Sequence, residues 1–155
     1  MSTPIYIILA EDDTDDAFLF NEAIDELSLA VDLTIVSDGE RLMQSLTDEN
    51  IQLPDVIFLD INMPRKNGLE CLSEIRVNNR LHSLPVIIFS TSFDEEIVSQ
   101  LYINGADYYI QKPSGFEALK NVIHLALNLI SEKNQLQPPK DSFVLTDKKA
   151  KMTLR

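Results

Sequence analysis

The sequence predicts an α/β fold with a doubly wound, five-stranded parallel sheet. Three observations carry this. Short apolar runs recur at residues 5–9, 33–36, 56–59, 86–89 and 108–110. Their length and β-branched content suit strands buried on both faces. Segments of helical spacing separate them, and strand–helix alternation repeated five times is the pattern of a parallel sheet with crossover helices. Right-handed crossovers place those helices on both faces.

Each helix has its own signal. After the first run, Leu19, Phe20, Ala23, Ile24 and Leu27 form one apolar stripe. Asp38-Gly39 opens the second helix. Asn67 and Glu70 stand at capping-box spacing and open the third, whose stripe holds Leu69, Leu72 and Ile75. Ser92 with Glu95 marks the fourth, over residues 94–103, and Ser114 with Glu117 marks the fifth. The fifth carries Leu119, Val122, Ile123, Ala126, Leu127 and Ile130.

Residues 4–131 read as one domain, without repeats or linkers. Pro138-Pro139 then ends or exits the last helix. Residues 132–155 form a basic C-terminal tail or arm. Residues 1–130 hold 22 acidic and 7 basic side chains, net −15, whereas 131–155 hold 3 acidic and 6 basic, net +3. Twenty-odd residues cannot bury a core of their own, so the tail is either a loose terminus or an arm. Its charge favours docking on the acidic body or on a second subunit.

The same charge argues against a nucleic-acid partner, because phosphate binding needs basic clusters. The apolar run at 5–10 is too short to span a membrane and lacks the basic flank of a signal peptide. The single cysteine, Cys71, cannot form an internal disulfide, which points to a reducing, cytoplasmic setting. His82 and His124 show no metal-ligand spacing.

In such a sheet, ligands sit at the carboxyl ends of the strands. The first strand delivers Glu11-Asp12-Asp13 there, the third Asp60-Ile61-Asn62, the fourth Ser90 and the fifth Lys112. Three carboxylates, a hydroxyl and an amine converge. Clustered carboxylates repel one another where the dielectric is low. A hard divalent cation relieves this, and Mg²⁺ prefers oxygen ligands. A carboxylate beside such a cation can attack phosphorus to give an aspartyl phosphate. The transferred group then needs positive charge and donors, which Lys112 and Ser90 offer.

These residues resemble the receiver domain of two-component response regulators, the CheY-like family. The acid pair, the Asp-x-Asn-Met-Pro stretch running on to Gly68, the apolar run ending in Ser90, and the stretch from Gly105 to Pro113 match in order over about residues 4–131. The resemblance implies a flavodoxin-like sheet of order 2-1-3-4-5 and a signalling switch rather than a conventional enzyme. It makes Asp60 the phosphoacceptor, Lys112 and Ser90 its catalytic partners, and Glu11, Asp12, Asp60 and Asn62 (through its backbone carbonyl) the Mg²⁺ ligands. Ser90 and Tyr109 become the switch pair, with Tyr109 moving inward on phosphorylation. The Lys112-Pro113 peptide is expected to be cis. The partners implied are a sensor histidine kinase or histidine phosphotransfer protein, a downstream protein, and a homodimer mate.

Two registers for the acid pair stay open, Glu11-Asp12 and Asp12-Asp13. Asp13, Asp15 and Asp16 could simply decorate a helix start, where the dipole favours acids. Competing functions fit less well. A phosphohydrolase using an aspartyl phosphate wants a second Asp two residues after the nucleophile, where this chain has Asn62. A flavin binder wants a hydroxyl- and glycine-rich loop after the first strand, where acids 11–16 would repel its phosphate. A receiver fold acting without phosphorylation has no need of the acid, hydroxyl and lysine set.

Overall fold

The computed structural model describes residues 3–132 and 137–154. The chain alternates β1 (Ile5–Ala10), α1 (Thr14–Glu26), β2 (Val31–Val36), α2 (Gly39–Thr47), β3 (Val56–Leu59), α3 (Gly68–Val77), β4 (Val86–Ser90), α4 (Glu95–Ile103), β5 (Tyr108–Gln111) and α5 (Phe116–Ser131). A 3₁₀ turn (Lys140–Ser142), β6 (Val144–Leu145) and α6 (Asp147–Thr153) follow.

All strand pairs are parallel, and the order is β2-β1-β3-β4-β5-β6. The first five positions follow the expected order, but the sheet has six strands, not five. The sixth comes from the tail. Val144 and Leu145 pair with Tyr109 and Ile110, and α5 supplies the crossover that a parallel neighbour requires.

Side-chain alternation along each strand divides the core in two. Ile8, Ala10, Ile57, Leu59, Val86, Ile88 and Tyr109 face α2, α3 and α4. Ile7, Leu9, Phe58, Ile87, Phe89 and Ile110 face α1 and α5, where Phe20 meets the rings of Phe58 and Phe89 edge-on at 4.9 and 5.5 Å. The central strands β3 and β4 are buried throughout, as the sequence implied. β2 is not. It lies at the sheet edge, with Ile35 exposed.

Helix starts show which signals decide. Asn67 and Glu70 form the full capping box, and Asp38 caps α2 by accepting from Arg41 N at 2.8 Å. α4 is capped by Asp94 instead of Ser92. Asp94 sits next to the helix, so its carboxylate reaches the free N–H groups of Glu96 and Ile97. α5 starts after Gly115, without a side-chain cap, so Ser114 lies one residue too early. On α1 the buried face is Ala17, Phe20, Ala23 and Ile24, while Leu19 turns to solvent with Phe18. No helix among the described residues is long and apolar enough to cross a membrane.

Candidate functional site

Backbone hydrogen bonds bring the strand ends into line. Glu11 N donates to Val36 O, Asp60 N to Ala10 O, and Lys112 N to Ser90 O, at 2.9, 3.0 and 2.8 Å. The residues that follow each strand therefore open onto one crevice.

Glu11, Asp12 and Asp60 each place a carboxylate oxygen there, all within 4.8 Å of one another. Glu11 and Asp60 are buried, and Asp12 is exposed. Asp13 turns away. It caps α1, accepting from Asp15 N and Asp16 N at 2.9 and 3.0 Å. The geometry thus assembles Glu11-Asp12, not Asp12-Asp13, with Asp60.

Burial raises the pKa of both inner acids, because desolvation penalises the charged form. Glu11 rises from 4.5 to about 7, with Lys112 opposing and Asp60 reinforcing the shift. Asp60 also rises, against the pull of Lys112 and of Asn62 N, which donates to its Oδ1 at 3.3 Å. A cluster of oxygen donors that resists full ionisation in the absence of added positive charge fits a hard divalent cation.

Lys112 spans the acids. Its Nζ lies 2.5 Å from Glu11 Oε1, 2.9 Å from Asp16 Oδ2 and 3.9 Å from Asp60 Oδ2. It also sits 5.1 Å from the centre of the Phe89 ring. Burial works to lower its pKa, but the carboxylates outweigh burial and the net shift is upward. The expected cis Lys112-Pro113 peptide is not found, and no cis peptide occurs among the described residues. The bond from Lys112 N to Ser90 O holds the lysine in line with β5, and its side chain reaches the acids from there.

Asp16 is the contact that sequence reasoning missed. Helix-start decoration was one open reading for it, and no role at the lysine was assigned, yet it grips Lys112. Its place on the first turn of α1, directly after a strand that ends in the crevice, was the available signal.

Ser90 is fully buried, and its Oγ accepts from Ser92 N at 3.2 Å. The Asn62 side chain donates to Ser92 Oγ at 3.2 Å. Tyr109 is also fully buried and donates its hydroxyl to Ser92 O. The expected inward move of Tyr109 therefore has little room, since the ring is already inside. Phe93 packs edge-on against it at 6.0 Å, and Phe143 of the tail lies at 6.4 Å.

Gly68 sets how closely α3 approaches the site. A Cβ there would lie 2.4 Å from Asp60 O and 2.9 Å from Ile61 Cα. Only glycine lets the helix start this near the end of β3, where Gly68 N donates to Ile61 O at 2.9 Å.

The match to the response regulator receiver domain covers residues 7–124, the span that holds every residue of this crevice. The chain belongs to the response-regulator receiver family. It is 32% identical over 124 residues to response regulator Rcp1 of Synechocystis, covering 77% of this chain and 84% of that one. It is 30% identical over 123 residues to the probable methanogenesis regulatory protein FilR2 of Methanothrix harundinacea, covering 77% and 79%. Among solved structures, the phosphorylated cyanobacterial phytochrome response regulator RcpA superposes with a TM-score of 0.76 at 30% identity, covering 88% of this chain and 100% of that one. The Mn²⁺-bound form of Rcp1 gives 0.74 at 29% identity, with the same coverage. This receiver domain is a signalling module and not a conventional enzyme.

Proposed function

We propose that this receiver is a phosphorylation-dependent switch that accepts a phosphoryl group on Asp60 from a histidine kinase or a histidine phosphotransfer protein. The observation that carries the reading is one buried carboxylate, Asp60, beside the acid pair Glu11–Asp12 and within 3.9 Å of the amine of Lys112. An oxygen of Asp60 attacks the phosphorus, a P–O bond forms, and the P–N bond to the donor histidine breaks with its electron pair leaving on the imidazole. Lys112 lies close enough to meet the growing charge on the phosphoryl oxygens, and the Ser90 hydroxyl is the neutral donor on the other side.

Mg²⁺ is the cation we assign to the site, and it supplies charge neutralisation for the phosphoryl oxygens. Glu11, Asp12 and Asp60 would hold it, together with the backbone carbonyl of Asn62, the fourth ligand that the family resemblance implies. The Mn²⁺-bound relative supports a divalent cation in this family.

The switch pair is Ser90 and Tyr109. The output is a change in protein contacts on the face formed by α4, β5 and α5, read by a downstream protein. The receiver unit is residues 4–131, with 132–155 as its arm, and its setting is cytoplasmic.

Mass spectrometry after incubation with acetyl phosphate and Mg²⁺ tests the assignment. One added phosphoryl group is expected, absent without Mg²⁺ and absent in Asp60→Asn. An Asp60→Asn protein that labels as fully as the parent would refute it.

A further inference from the structure

The tail ends up against the switch residue. Phe143 is fully buried, with its ring 5.1 Å from Tyr102 and 6.4 Å from Tyr109. Its carbonyl accepts from Tyr109 N at 3.0 Å. Ahead of it, the strap is clipped to α4 and the loop beyond. Gln137 Nε2 donates to Tyr102 O and Ala106 O at 2.7 and 2.6 Å, the Tyr102 hydroxyl donates to Pro138 O at 2.7 Å, and Lys140 Nζ donates to Ser99 Oγ at 2.9 Å. Behind it, Leu145 and Ala150 are buried in the core facing α5.

From Tyr109 the contacts run on to the phosphoryl site. Its hydroxyl donates to Ser92 O, and Ser92 N donates to Ser90 Oγ. A displacement of residues 90–92 therefore pulls on Tyr109, and whatever fixes Tyr109 steadies residues 90–92.

We propose that the strap of residues 137–154 holds Tyr109 inward, with Phe143 as the positioning residue, so that strap docking and the phosphoryl state of Asp60 are coupled. The proposal rests on the reading of Asp60, Ser90 and Tyr109 given above. The sign comes from the switch reading, which pairs the inward Tyr109 with the phosphoryl state of Asp60 and has Ser90 drawn towards the phosphoryl group. The docked strap favours that same place for the Tyr109 ring. The two events therefore help each other, and linkage makes the help equal in both directions.

The test uses the full chain with Mg²⁺ and beryllofluoride, a phosphoryl mimic. Hydrogen exchange is followed at the Tyr109 amide, which donates to Phe143, and at the Ala150 amide in α6. Exchange at both is expected to slow by about fivefold or more when the mimic binds. Phe143→Ala is expected to weaken beryllofluoride binding by a similar factor while Mg²⁺ affinity in its absence stays the same, which a merely structural loss would not do. Tyr102→Phe keeps the ring, loses the bond to Pro138 O, and should move binding the same way by less, which guards against a misfolded Phe143 variant.

If beryllofluoride binds through Asp60 but strap exchange does not change, the coupling is refuted and the reading of Asp60 stands. If the mimic does not bind, or binds Asp60→Asn equally well, that reading fails and takes the coupling with it.

Discussion

Gly68→Ala puts a methyl group where backbone already stands. The new carbon would meet Asp60 O at 2.4 Å, Ile61 Cα at 2.9 Å and the Asp60 carbonyl carbon at 3.1 Å. Ordinary carbon contacts sit near ~3.5–4.0 Å, so the first turn of α3 must back away by about 1 Å. None of these atoms is the end of a flexible side chain. The retreat also stretches the bond from Gly68 N to Ile61 O. Overpacking of this kind costs about 1–3 kcal/mol. A weakened hydrogen bond adds about 1 kcal/mol, and the helix preference of alanine over glycine returns about 1 kcal/mol. The net is a loss of about 1–3 kcal/mol, read as a lower urea midpoint with an unchanged slope. Because Asp60 carries the atom struck first, its carboxylate shifts too, and beryllofluoride affinity should drop with stability. Gly115→Ala is the control. Its Cβ meets nothing within 4 Å, so it should cost only the difference between alanine and glycine at a helix cap. If Gly68→Ala melts at or above the parent midpoint, the close approach does not constrain the site and the reasoning is wrong.

Two further outcomes follow from the charges. Burial lifts the Glu11 pKa from 4.5 to about 7, so folding favours its neutral form. The stability this contributes is complete below about 4.5 and is lost as pH rises through about 7. Without divalent cation, the urea midpoint should therefore decline across that window and the decline should flatten in Glu11→Gln, whereas Mg²⁺ affinity should climb across the same window as the competing proton leaves. A midpoint that rises steadily from pH 4.5 to 7 in the parent, with no difference in Glu11→Gln, would contradict this. Asp16→Asn releases Lys112 from one of its carboxylates, so beryllofluoride affinity should increase severalfold. Asp15→Asn, which removes the same charge without touching Lys112, should have much less effect, and in a Lys112→Ala background Asp16→Asn should do little. Equal gains from the two single variants would mean general electrostatics and not a held lysine.

The sequence carried most of what places the site, for a physical reason. β3 and β4 are buried on both faces, so their residues must be apolar and the first polar residue after each run marks the strand end. Asp60 stands directly after β3, Ser90 closes β4, and Glu11 follows β1. Where burial is partial the signal fades. β2 at the edge mixes exposed Asp32 and Ile35 with its apolar residues, and its start at Val31 was missed. Helix phase on α1 was blurred because Phe18 and Leu19 are apolar and yet exposed, so periodicity alone favoured a stripe that includes Leu19. Asp16 was illegible as a partner of Lys112 because it lies inside α1 and not at a strand end, and only the packing of α1 against α5 turns it towards the crevice.

The tail shows a different limit. Its positive charge suggested that an acidic body would attract it. The tail does dock on the body, but not through ion pairs. Among the described residues, no lysine of the tail forms an ion pair with an acid of the body. Lys151 pairs with Asp147 inside the tail, Lys149 donates to Val144 O, and Lys140 meets the hydroxyl of Ser99. What holds the tail is apolar burial of Phe143, Leu145 and Ala150, together with hydrogen bonds, most between uncharged groups and two with one charged partner, Lys140 to Ser99 and Asn121 to Asp147. A parallel sheet that stopped at β5 would leave the Tyr109 amide without its partner and the ring of Tyr109 open on one side. A two-residue strand suffices to cover that edge, and so short a strand cannot announce itself by periodicity. Only the sheet edge gives Phe143-Val144-Leu145 a reason to be extended. The same fact ties the tail to function, because the edge it covers is the strand that delivers both Tyr109 and Lys112.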